Sequence, residues 1–187
     1  MKKLFILMLA ALFFGLTTLT PAAIANPQFN LLKAVDKGDI EEVRELLKKG
    51  VNPNTRKRSS GIPALLVIAD KRDLRMMKMF LDAGANPNIA DRTRGETALM
   101  KRAAVGDNDM VKLLLAFKAD PDRPDIGQET ALMKAVRARK SRTVQLLLDA
   151  GADPNVQDLT GKTALEYAKI SRNRRLVKML QDAGATY

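Results

Sequence analysis

The sequence predicts an all-α solenoid of about five helix-turn-helix units with protruding hairpin-like fingers. Three observations predict it. Thr97-Ala98-Leu99-Met100 returns as Thr130-Ala131-Leu132-Met133 and again as Thr163-Ala164-Leu165-Glu166, 33 residues apart each time. A second phrase keeps nearly the same interval: Gly50-Val51-Asn52-Pro53-Asn54, Gly84-Ala85-Asn86-Pro87-Asn88, Gly151-Ala152-Asp153-Pro154-Asn155 and a final Gly184-Ala185. Between these phrases apolar residues recur at three- and four-residue spacing, the period of amphipathic helices. A repeat of this length is one supersecondary unit that cannot bury its apolar face alone, so the units must stack.

The first 25 residues stand apart. Lys2 and Lys3 precede an uncharged, almost wholly apolar run from Leu4 to Leu19. Pro21 breaks the run, and Ala23-Ile24-Ala25 supplies small residues for cleavage. This is the pattern of a secretory signal peptide cut after Ala25. An uncleaved anchor is the competing reading, but the run is short for a membrane span of ~20 residues. Residues 26–187 then form one repeat domain, with units at about 29–55, 56–89, 90–122, 123–156 and 157–187.

The first unit opens at Phe29 and pairs a helix carrying Leu31, Leu32, Ala34 and Val35 with one carrying Ile40, Val43, Leu46 and Leu47. Gly38 punctuates them, and Gly50 suits the left-handed residue that ends the second. Later second helices carry Leu74, Met76, Met77, Phe80 and Leu81; Met110, Val111, Leu113 and Leu114; Val144, Leu146 and Leu147; Leu176, Val177, Met179 and Leu180. Asn or Asp flanking a proline makes a turn before each finger, because the side chain bonds nearby backbone. The fingers fall at Thr55–Gly61, Ile89–Gly95, Arg123–Gln128 and Val156–Gly161. The Thr of each Thr-Ala-Leu sits where a helix begins and can cap free amides.

Gly-x-Thr-Ala-Leu at 95–99 and 161–165, with Gly-Ala-Asp/Asn-Pro-Asn, resembles the ankyrin repeat family over essentially all of 29–187. The resemblance implies an interaction scaffold that binds proteins along its fingers and first helices. Departures matter. The family's histidine is Leu66, Met100, Met133 or Glu166 here, so a hydrogen-bonded brace between repeats is expected to be lost. Pro63 takes the place of a capping threonine. Lys118 replaces a helix-ending glycine, at a cost of up to ~1 kcal/mol. The outer units read as polar caps, the last through Arg172, Arg174, Arg175, Lys178 and Gln181.

Composition excludes much chemistry. The chain has 32 basic and 21 acidic residues, and no Cys and no His. Losing Lys2 and Lys3 leaves a net charge of +9. A basic body favours an anionic partner. Without His or Cys, zinc, copper and haem sites and Ser-His or Cys-His catalysis are not expected. No cofactor is expected. Gly161-Lys162-Thr163 resembles the tail of a phosphate loop, but Val156 stands where the loop needs glycine. Asp120, Asp122 and Asp125 form the densest acidic cluster and read as solvated turn residues.

By repeat position, the resemblance nominates Arg56, Lys57, Arg58, Ser59 and Ser60 in finger one. It nominates Arg92, Arg94 and Glu96 in finger two, Ile126 and Glu129 in finger three, and Leu159, Thr160 and Lys162 in finger four. The first helices add Lys101, Lys134, Arg137, Tyr167 and Ile170. Arg102 is a misfit, since Ala34, Ala135 and Ala168 hold the equivalent places; it either snorkels outward or marks a charged spot in the groove. A second stripe, through Gly38, Arg72, Gly106, Arg139 and Arg172, runs along the turns within helix pairs. It reads first as a solubilising rim, with lipid phosphates or an acidic protein as alternative contacts.

The expected function is an exported, non-enzymatic binding protein, periplasmic in a two-membrane cell and monomeric when free. The expected partner is another exported protein, an enzyme with an acidic or polar surface. The concrete expectation is an immunity-type inhibitor that occludes a hydrolase such as a cell-wall peptidase. The alternatives are an accessory protein for an exported stress-defence enzyme, or a binder of anionic envelope surface. Nucleic acid is not an expected partner, because only Tyr167 offers a stacking ring near the basic groove.

Overall fold

A computed structural model describes residues 26–186; the expected leader lies outside the described residues. Ten helices are described, in five pairs. The pairs are α1 (Pro27–Lys37) with α2 (Ile40–Lys48), α3 (Ala64–Lys71) with α4 (Leu74–Asp82), and α5 (Ala98–Val105) with α6 (Asn108–Ala116). Then come α7 (Ala131–Arg137) with α8 (Ser141–Asp149), and α9 (Ala164–Ile170) with α10 (Arg174–Asp182). The odd-numbered helices pack on one another in series, and the even-numbered ones form a second layer behind them.

Helices this short are marginal alone and persist because an amphipathic face is packed. One apolar core runs without interruption from Leu31 to Leu180. Its largest fully buried members include Phe80, Met76, Met77, Met100 and Met110. Unbranched methionine fills the irregular space between unlike repeats.

Helix starts follow the sequence. Thr97, Thr130 and Thr163 accept from the backbone N–H of Met100, Met133 and Glu166 at 3.3–3.4 Å. Glu166 answers by accepting from Thr163 N–H at 2.7 Å, completing a capping box. Pro63 gives α3 no side-chain cap. The first unit begins earlier than expected: α1 starts at Pro27, with Asn26 as its cap. Lys118 does occupy the left-handed region, at φ 63°. Arg72, Arg139 and Arg172 do so as well, at φ 59°, 56° and 53°, in the turns where Gly38 and Gly106 serve other units.

A different brace, made by the turns rather than by a histidine, joins the repeats. The second Asn or Asp of each turn accepts from the backbone N–H that opens the next turn. Asn54 accepts from Asn86, Asn88 from Asp120 and Asp122 from Asp153, each at 2.8 Å, and Asn155 from Thr186 at 3.0 Å. These four bonds tie all five units along one edge.

Candidate functional site

The fingers begin at the turns and lead into the inner helices, so finger tips and inner helices share a face. Fingers one and two close with isolated antiparallel bridges, Arg56 to Pro63 and Ala90 to Thr97. Fingers three and four are one residue shorter and are closed by Asp125 N–H to Glu129 C=O and Asp158 N–H to Lys162 C=O. Neighbouring fingers also join: Ile126 N–H donates to Arg94 C=O at 2.9 Å, and Leu159 N–H to Gly127 C=O at 3.0 Å. Fingers two, three and four are therefore joined into one ledge.

Each of these fingers is organised by one aspartate. Asp91 accepts from Thr93 N–H, Thr93 Oγ1, Arg94 N–H and Glu96 N–H. Burial pushes its carboxyl up, but these bonds outweigh it and hold the group below its ordinary range. Asp158 accepts from Thr160 N–H, Thr160 Oγ1, Lys162 N–H and the Tyr167 hydroxyl. Here too burial works upward and the hydrogen bonds win, bringing it down to about 2. The bond to Asp158, with burial, raises the Tyr167 phenol.

Asp125 corrects the solvated-turn reading. Asp120 and Asp122 do sit in the turn, where Asp120 accepts from Asp122 N–H at 2.9 Å. Asp125 is instead buried, and the Lys134 ammonium lies 2.7 Å from its carboxylate. The same ammonium lies 3.2 Å from Glu129 and 3.3 Å from Glu96, so one cation joins finger two, finger three and α7. Burial pushes Lys134 down, yet its bonds to Asp125 and Glu129 prevail and raise it. Glu129 also pairs with Arg137, whose guanidinium lies over the Tyr167 ring at 5.2 Å from its centre. Ring and hydroxyl then connect to Asp158. Glu96, Lys134, Glu129, Arg137 and Tyr167 thus form a continuous network within the protein rather than separate free contacts.

The remaining nominated residues divide. Arg56 is turned inward, donating to Gly61 C=O at 3.0 Å and Ala90 C=O at 2.9 Å. Lys57 pairs with Asp36 at 2.8 Å, and Lys101 with Asp70 at 2.8 Å. Lys162 reaches Thr160 Oγ1 at 3.1 Å. Arg58, Ser59, Ser60, Arg92, Arg94 and Thr160 are exposed. Ile126, Leu159 and Ile170 are large apolar side chains left 60%, 72% and 64% exposed. Ile126 and Leu159 stand on adjacent fingers, whereas Ile170 is the last residue of α9.

Arg102 is buried, only 7% exposed, and does not snorkel. Its guanidinium stands 3.6 Å from Asp70 and 4.0 Å from Asp107, and its Nε has no partner. Asp107 is held more closely by Arg72, at 3.2 Å. Sequence reasoning missed Asp91, Asp125 and Asp158 as organisers. Their regular place, five or six residues before each capping threonine, was the available signal. Among the described residues, no cluster of acids is placed to hold a metal ion.

A family model described as ankyrin repeats (3 copies) matches residues 31–125, 65–158 and 103–187, together covering 31–187. No curated protein matches the chain.

Proposed function

The chain belongs to the ankyrin repeat family, a family of protein–protein interaction modules, and from that premise we propose that it is an exported binding protein that covers a partner enzyme. The observation that carries this reading is the ordered ledge of fingers two to four. Arg137 and Tyr167 are tied to it through Glu129 and Asp158, and Ile126 and Leu159 stand bare on fingers three and four. Aromatic and arginine anchors ringed by apolar side chains dominate interface energetics. Side chains ordered before binding lose little entropy on contact. Export is supported by Lys2-Lys3, the apolar run to Leu19 and Ala23-x-Ala25.

The proposed partner is a periplasmic hydrolase, such as a cell-wall peptidase, and the proposed mechanism is steric: the ledge lies across the catalytic cleft. Immunity-type protection of the producing cell follows from such occlusion. The test is co-purification of the 26–187 form with exported enzymes, followed by assay of the captured enzyme with and without it. Inhibition that Ile126→Asp with Leu159→Asp abolishes supports the proposal. Activation would make the protein an accessory factor instead, and the absence of any captured enzyme would overturn the reading.

A further inference from the structure

The edge opposite the fingers carries a separate charge pattern. The stretches Ala131–Leu148 and Tyr167–Gln181 contain five basic residues each and not one carboxylate. Six of these ten cations, Arg139, Lys140, Arg142, Arg172, Arg174 and Arg175, lie in the turns within the last two helix pairs or in the first turn of α8 and α10. Local energetics disfavour several of these placements. Arg139 and Arg172 occupy left-handed backbone, where a side chain is strained and glycine is not. Arg174 and Arg175 begin α10, where the helix dipole favours acids. In other units the strain has an internal return: Arg72 pairs with Asp107, and Arg139 donates to Ser171 C=O at 3.0 Å. Arg172 is exposed in the fifth unit, and no such partner holds its side chain among the described residues.

Beside Arg172 lies an open depression of about 420 Å³, walled by Lys169, Arg174 and Lys178 and floored by Val177. Ile170 stands bare at the same edge, and Val105 is a second exposed aliphatic at the equivalent end of α5. Cations alone would suit any soluble anion. Cations interleaved with bare aliphatics on a projecting edge suit an anionic bilayer surface, where phosphates meet the charges and the aliphatics enter the headgroup boundary.

We propose that the turn edge of the last two repeats docks peripherally on anionic phospholipid. Docking by this edge leaves the finger ledge at the far side of the repeats, open to a protein partner. Lipid binding and partner binding use different residues, so each can fail without the other.

The test is sedimentation of the 26–187 form, which contains all ten helices and the whole described core, with vesicles of phosphatidylcholine alone or mixed with phosphatidylglycerol. Binding is expected only to the mixed vesicles, and it should fall as salt screens exposed charge. Arg172→Glu with Arg174→Glu and Arg175→Glu should weaken binding by about a hundredfold, while Arg92→Glu with Arg94→Glu on the finger should weaken it far less. Arg172→Gly separates function from mere solubility: it should raise the melting temperature by relieving the backbone and still weaken vesicle binding. The chain has no cysteine, so a polarity-sensitive dye on Ile170→Cys should shift to the blue on mixed vesicles, and one on Leu159→Cys should not. Failure to bind mixed vesicles at low salt, equal loss from the finger pair, or full competition by inorganic phosphate would overturn the proposal. Capture by soluble polyglutamate but not by vesicles would also overturn it, in favour of an acidic protein.

Discussion

The guanidinium of Arg137 lies 5.2 Å from the centre of the Tyr167 ring, and the hydroxyl of that ring donates to Asp158. One aromatic side chain thereby links the fourth repeat's inner helix to the fourth finger. Asp158 sits at about 2, below its ordinary 3.8. An acid depressed in the folded state contributes stability that is present above pH 3.8 and lost as pH falls toward 2. Tyr167 is raised above its ordinary 10.0, so its contribution is present below pH 10 and fades as pH rises past it. Tyr167→Phe should therefore cost about 1–2 kcal/mol at neutral pH and much less near pH 2. Urea unfolding across that range checks it; an equal loss at both ends would contradict the assignment.

Lys134 holds together three carboxylates that would repel one another without it. Lys134→Met keeps the stem but leaves Asp125, Glu96 and Glu129 facing each other, and Asp125 is buried. The expected loss is about 3 kcal/mol, the scale for stripping one partner from a buried pair. Adding Glu129→Gln should return part of it, so the two substitutions should be non-additive in a double-mutant cycle.

Arg102 should behave in the opposite way. Its contacts are long, its Nε is orphaned, and both its carboxylate neighbours have closer partners, Lys101 for Asp70 and Arg72 for Asp107. Arg102→Met retains packing and removes a buried donor without a bond, so it should raise stability by about 1 kcal/mol. Thermal melts read this directly, and a loss above about 1 kcal/mol would mean that the long contacts carry more than their geometry suggests.

Lys118 is exposed and left-handed at the place where Gly50, Gly84, Gly151 and Gly184 serve the other units. Lys118→Gly should add up to about 1 kcal/mol. The gain should survive high salt, because backbone relief is not screened.

Repeat register made the fold legible. The capping threonines, the Asn/Asp-Pro turns and the misfits at Pro63, Arg102 and Lys118 were all found from the interval alone. What register does not carry is pairing between positions about 30 residues apart. Lys134 meets Glu96 only because fingers two and three lie side by side, and Arg56 turns inward only because Ala90 C=O comes within reach. Side chains nominated one by one as partner contacts are therefore often already engaged within the protein, while Ile126 and Leu159 are bare. The brace along the turns escaped notice because asparagine beside proline explains itself as a turn residue, and its second bond appears only when units stack.

Whether the finger ledge of the last three repeats is the protein-binding surface is decided by site-specific photo-crosslinking in cells that produce the protein. A photoreactive residue is placed at Leu159 or Ile126 on the ledge, or at Leu74 on the outer layer. One discrete protein adduct is expected from both ledge positions and none from Leu74. An adduct from Leu74 alone, or the same adduct from all three positions, would contradict it.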